Sequence, residues 1–189
     1  MNGRNADATE RMTIRSGRLR LVALDRELAA LQAADPKAFF TAIGAQSEAV
    51  WPPEFFDKTE IADVLDARPG EAGWRPWACL LGWAPGAPDR AVGMVGFNGP
   101  PGANGRVELT YAMLPSFREQ GLATEMVRAL LDWAFGHDEV REVVAFTEPH
   151  LTASRRVLEK TGFTETGAET GPKGETRVRY ERGREERAA

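Results

Sequence analysis

Apolar and polar positions change their period several times along the chain. RLRLVAL, residues 18–24, alternates and predicts a first strand. DRELAALQA, 25–33, switches to helical spacing, with Asp25 placed to cap it. Pro36 interrupts, and KAFFTAIGA reads as a second short helix. VWPPEFF sets two prolines between aromatics and reads as a rigid loop. KTEIADVLDAR, 58–68, gathers Ile61, Val64 and Leu65 on one helical face. Two short apolar runs bounded by Gly and Pro follow, WACLLGWA and AVGMVGFNG, and predict a hairpin. RVELTYAML, 106–114, predicts a third strand in that series. Residues 121–135 return to helical spacing. EVVAFT, 142–147, is strand-like, and TASRRVLEKTG, 152–162, is a helix with Gly162 at its C-terminal cap. RVRYE, 177–181, predicts a last, partly exposed strand open to pairing with a second chain.

An antiparallel meander is thus joined to one right-handed crossover, RVELTYAML to helix to EVVAFT. The expectation is an α+β fold (mixed α/β) with a single central, mostly antiparallel sheet flanked by helices. One domain is expected over 14–182, with flexible tails at 1–13 and 183–189.

Composition narrows the function. The 189 residues are 42% hydrophobic, enough for one sizeable core. A net charge of −4 argues against a broad nucleic-acid or anionic-membrane surface. One cysteine, Cys79, sits in an apolar run and reads as a small buried residue. With only two histidines, no metal site is expected. The N-terminal stretch lacks a signal peptide's apolar core, so the cytoplasm is the expected location.

The stretch LPSFREQGLATEMVRALLDWAF, 114–135, poses the main question. Leu122, Met126, Leu130 and Trp133 form one apolar stripe, with Ala123, Val127, Leu131 and Ala134 beside it, as for a helix packed on a sheet. Yet it opens on a glycine. The first four amides of a helix lack intrahelical partners and carry partial positive charge. Gly121 would let a phosphate approach that backbone, with Arg118 adding charge. The alternative is that Gly121 only shapes a strand-to-helix loop.

YAMLPSFREQGLATEMVRAL resembles the acyl-CoA signature of the GNAT superfamily of N-acyltransferases. ASRRVLEKTGF, 153–163, resembles the second signature, in the branch of the ribosomal-protein alanine N-acetyltransferases. The resemblance implies a splayed sheet with acetyl-CoA as co-substrate and an amine acceptor. Neither nucleic acid, membrane nor metal is implied, and the chain would be a monomer or homodimer. It implies that backbone groups of Met113 and Leu114 hold the pantetheine. The turn formed by Arg118, Glu119, Gln120, Gly121, Leu122, Ala123 and Thr124 would hold the pyrophosphate. The helix of the second signature departs from the family. Leu151 stands where Asn is usual, and Leu158 where a Tyr commonly protonates the leaving thiolate. Ser154 is then a candidate for the sulfur or pantetheine.

The acceptor amine must lose a proton to attack, and Glu108 is the candidate base. Alternation sets Glu108, Thr110 and Ala112 on one face, with Val107, Leu109 and Tyr111 on the other. The tetrahedral oxyanion needs a donor, expected to be a backbone amide of the splayed strand. His150, with Glu148, and Trp51 are candidates for the acceptor side. Acetyl transfer to a primary amine, on a protein N-terminus or a small molecule, is the expectation. The competing readings are a non-catalytic CoA sensor and an unrelated α/β domain.

Overall fold

A computed structural model describes residues 11–82 and 86–185. Trp83, the far end of one expected strand, and most of both expected tails lie outside the described residues. In chain order the elements are β1 (Thr13–Ser16), β2 (Leu19–Ala23), α1 (Arg26–Ala34), α2 (Pro36–Ile43) and β3 (Ala45–Gln46). Then come α3 (Lys58–Ala67), β4 (Trp77–Leu81), β5 (Asp89–Phe97), β6 (Arg106–Met113) and α4 (Leu122–Phe135). The chain ends with β7 (Glu142–Thr147), α5 (Thr152–Lys160), β8 (Thr164–Thr170) and β9 (Thr176–Gly183).

One sheet runs β1-β2-β4-β5-β6-β7-β9-β8, with β3 beside β5. Its neighbours are antiparallel except β6 with β7 and β3 with β5. The β6-to-β7 step is the crossover that the sequence predicts, with α4 as its connection.

Alternation along each strand divides the core in two. Leu21, Trp77, Cys79, Val95 and Leu109 pack under α4, with its Leu122, Met126 and Leu130. Val22, Ala78, Leu80 and Met94 pack under α1 to α3, with Leu28, Phe39 and Leu65. Cys79 is fully buried, and burial pushes its thiol well above the ordinary range. The expected α4 stripe is the one that faces the sheet.

Three elements depart from expectation. β1 starts at Thr13, at the border of the expected leader, where polar residues alternate too weakly to show. β8, TETGAET, is exposed at every position and carries no apolar period. Because β8 covers it, β9 is an interior strand paired on both sides. RVRYE is therefore not the free edge that the sequence suggested; the edge is β8. Among the described residues, no helix is long and apolar enough to cross a membrane.

Candidate active site

The sheet opens at one point. β6 and β7 pair from Arg106 opposite Glu142 to Leu109 opposite Ala145, and then stop. Beyond that step β6 stays with β5, Thr110 opposite Gly96 through Met113 opposite Gly93. β7 stays with β9, Phe146 opposite Arg179 and Thr147 opposite Val178. Gly93 keeps β5 tight against β6 here: a Cβ on it would lie 2.5 Å from the Ala112 carbonyl oxygen. The gap between β6 and β7 is part of a cleft of about 1120 Å³, which also reaches the α4 turn, α5 and the loop before α3.

The turn after β6 explains the odd helix start. One 3-10 turn, Pro115–Phe117, brings the chain round. Glu119 at φ 62° and Gly121 at φ 76° are both left-handed. Gly121 is the N-cap of α4, and no side chain caps the helix. A Cβ there would meet only Arg18 Nη2, at 3.7 Å, so conformation rather than crowding within the chain requires the glycine. Leu122, Ala123 and Thr124 line the cleft, as do Arg118, Glu119 and Gly121. Gln120 instead bonds backward, its Nε2 donating to the Ser116 carbonyl at 3.2 Å. Arg18 is a neighbour the sequence did not reveal. It donates to the Gln120 carbonyl and pairs with Glu125 at 2.9 Å.

Met113 and Leu114 do not play equal parts. Backbone groups along a strand point alternately to its two neighbours. The Leu114 amide donates to Val92 at 2.9 Å and the Glu108 carbonyl accepts from Asn98, so even-numbered residues face β5. Leu114's carbonyl accepts from Phe117. Its amide and carbonyl are thus engaged with β5 and with the turn, away from the gap. Tyr111 and Met113 turn their backbone groups to the open side. Arg118 Nε already reaches the Met113 carbonyl at 3.3 Å, while its Nη2 meets Glu54 at 3.5 Å across the cleft.

Glu108 lines the cleft on the α1–α3 face, as alternation predicts. Its carboxylate accepts from Asn98 Nδ2 at 2.7 Å. Burial raises its pKa above the ordinary carboxylate value; nearby Arg177 opposes this, Glu169 adds to it, and the Asn98 bond opposes it. Arg177 is itself drawn to Glu169 at 2.7 Å and lies over the Phe146 ring.

The other face holds hydroxyls. Ser154, on α5, lines the cleft and sits 2.9 Å from the Tyr111 hydroxyl, which also lies 3.0 Å from the Ser154 carbonyl. Burial pushes Tyr111 up to about 12, the Ser154 bond opposing the rise. Leu158, at the position of the usual Tyr, is fully buried in the core. Tyr111 thus brings a phenol to this wall from a strand instead of from the helix. Sequence reasoning only set it on the strand face opposite Glu108 and gave it no role.

Two acceptor-side candidates lie elsewhere. Trp51 packs against Phe39 and Phe40 at ring distances of 6.1 and 5.7 Å and is not among the cleft-lining residues. The family resemblance implies it as part of an N-terminal wall, whereas its ring packs on the core. His150 has a side chain 73% exposed and pairs with Glu148 at 3.4 Å, outside the cleft lining. Glu148 itself lines the cleft. Phe55, at φ 71° and 70% exposed, stands at the lip in place of Trp51.

The large open sheet flanked by helices matches the acetyltransferase class of α+β folds. The chain belongs to the acetyltransferase (GNAT) domain family, whose match spans residues 19–164. It is an N-acetyltransferase. It is similar to the uncharacterized N-acetyltransferase YjdG of Bacillus subtilis (strain 168), 27% identical over 154 residues, which cover 79% of this chain and 88% of that protein. Two solved structures share the fold. RimL, a ribosomal L7/L12 alpha-N-protein acetyltransferase in complex with coenzyme A, matches with a TM-score of 0.63 at 17% identity, over 91% of this chain and 98% of that one. The ribosomal-protein-S5-alanine acetyltransferase of Vibrio fischeri matches with a TM-score of 0.64 at 11% identity, over 94% and 100%.

Proposed function

We propose that this chain transfers an acetyl group from acetyl-CoA to a primary amine, on a protein N-terminus or a small molecule, by direct attack in a ternary complex. The observation that carries this reading is the open gap between β6 and β7, bounded at one end by the α4 turn. The turn residues Arg118 to Thr124 hold the pyrophosphate, since the first amides of α4 carry partial positive charge and face no side-chain cap. The thioester arm fills the gap and bonds to the backbone of Met113. The Tyr111 amide, on the same open edge, is the donor for the tetrahedral oxyanion.

The acceptor enters on the Glu108 face. Glu108 removes the ammonium proton, directly or through water, and its raised pKa brings it closer to the range in which a base works best. The Tyr111 phenol, at about 12, holds its proton too tightly to be a strong acid toward a thiolate. With Ser154 it serves as a hydrogen-bonding wall beside the departing sulfur. The resemblance of the second signature, 153–163, to the ribosomal-protein branch favours a protein N-terminus as acceptor. The site of action proposed is the cytoplasm.

The test is acetyl transfer from labelled acetyl-CoA to a panel of N-terminal peptides and small amines. Free thiol released in step with labelled amide supports the reading. Tight acetyl-CoA binding without transfer to any amine would return the chain to the role of sensor.

A further inference from the structure

The wall opposite Glu108 carries three hydroxyls, and they are not equally satisfied. Those of Tyr111 and Ser154 bond to one another. Thr147 is only 6% exposed, and its hydroxyl is a buried oxygen with no hydrogen-bond partner in the structure. It lines the same cleft. Buried polar groups in folded proteins nearly always find partners, so a lone one on a residue that lines a cleft calls for an explanation.

Its place in the sheet supplies one. Val143 and Ala145 point into the α4-side core, and period two puts Thr147 on that face. The last pair of the parallel register is Leu109 with Ala145. Two residues further, the same register would set Thr147 beside Tyr111, where the strands have parted. Thr147 is therefore the first side chain of β7 to stand on this face in the open gap. Its own partner strand, β9, offers Val178 opposite, which has no polar side-chain atom.

We infer that the Thr147 hydroxyl is a positioning donor for a neutral acceptor atom, a carbonyl oxygen or the sulfur, on the thioester-bearing arm of the acyl donor. This rests on the proposal above that the arm fills the gap. Glu108 lies on the opposite face and engages the amine, so the two walls divide the reactants. Thr147 takes part in no proton transfer. It fixes the rotation of the arm so that the carbonyl meets the Tyr111 amide.

The test compares wild type with Thr147→Val and Thr147→Ser in the full chain. Unfolding temperature is measured without ligand. Affinity is measured for acetyl-CoA and for adenosine 3′,5′-bisphosphate, which lacks the arm. Valine keeps the shape and removes only the unsatisfied hydroxyl. The expected result is an unliganded Thr147→Val protein at least as stable as wild type, with acetyl-CoA bound about 10-fold more weakly, the scale of one lost hydrogen bond. Bisphosphate affinity should be unchanged, and Thr147→Ser should recover most of the loss. Unchanged acetyl-CoA affinity in Thr147→Val would overturn the inference. So would a lower unfolding temperature in Thr147→Val, since the hydroxyl would then have an internal role, and so would an equal loss for both ligands. If wild type itself fails to bind acetyl-CoA, the proposed function falls, and that failure is seen without any variant.

Discussion

The helices on the two faces of the sheet begin differently. α1, α2 and α3, on the Glu108 face, each start from an aspartate. Asp25 accepts from the Leu28 amide at 2.8 Å, Asp35 from Ala38 at 3.0 Å, and Asp57 from Thr59 and Glu60 at 2.8 and 2.9 Å. α4 and α5, on the other face, start from Gly121 and Leu151 with no side-chain cap. The start at Leu151 forgoes about 1 kcal/mol that a cap contributes, and the start at Gly121 only a few tenths. Both uncapped starts line the cleft. A helix that only supports the fold satisfies its own amides. On the function proposed above, α4 leaves its first amides for the pyrophosphate of the ligand.

The hardest way to break that contrast is to close the uncapped turn. Gly121→Trp places a large side chain at φ 76° and at the mouth of the proposed phosphate site. At about 100 times its dissociation constant, acetyl-CoA should stabilise wild type by roughly 2.7 kcal/mol and the variant not at all. A thermal shift series with acetyl-CoA, CoA and ATP checks this. An undiminished shift in the variant would move the pyrophosphate away from α4.

The next largest effect concerns the opposite wall. Glu108→Gln keeps an oxygen for Asn98 and removes the proposed base. kcat should fall by about 100-fold, within the span general bases supply, with KM for acetyl-CoA little changed. Wild-type kcat/KM should rise with pH through a pKa above the ordinary carboxylate value, and the variant should lack that limb. Stability runs the other way. A carboxyl whose folded pKa is raised stabilises the fold at low pH, and this is lost as pH rises through the folded pKa. Glu108→Gln should therefore unfold at a higher temperature than wild type near pH 8, with the gap closing toward acid pH. An equal gap at both pH values would mean that Glu108 does not titrate as its burial implies.

Much of this contrast was legible in the chain. The Asp25 cap, the Gly121 turn and the α4 stripe follow from local rules, because spacing and capping act within a few residues. The parting of β6 from β7 follows from the family resemblance, not from any period in RVELTYAML or EVVAFT. Strand direction decided what local rules could not. Leu114 sits next to Met113 in sequence, yet its amide faces β5. Trp51 was a candidate because N-terminal loops wall the acceptor pocket in the family it resembles, whereas its ring packs on Phe39 and Phe40. Tyr111 was hidden because alternation only sets it on the strand face opposite Glu108, and only α5 laid across it reveals the Ser154 partner. Thr147 left a signal that went unused, a hydroxyl at the core-facing end of Val143, Ala145, Thr147.

The smallest effect sharpens the contrast from the capped side. Asp57→Ala removes the carboxylate that accepts from two amides of α3. The expected loss is about 1 kcal/mol. For a chain of this size that is roughly 2–4 °C in unfolding temperature. Asp57 also lines the cleft, on the proposed acceptor side, whereas the caps Asp25 and Asp35 do not. Asp25→Ala, far from the cleft lining, should cost about the same stability. If Asp57 is only a cap, the two variants match in unfolding temperature and both keep wild-type kcat/KM for peptide acceptors. A KM for acceptor that rises in Asp57→Ala alone, at equal stability loss, would show that a helix cap on the Glu108 face also meets the substrate. The division between supporting and ligand-holding helix starts would then be a matter of which ligand, the anion or the amine, each start receives.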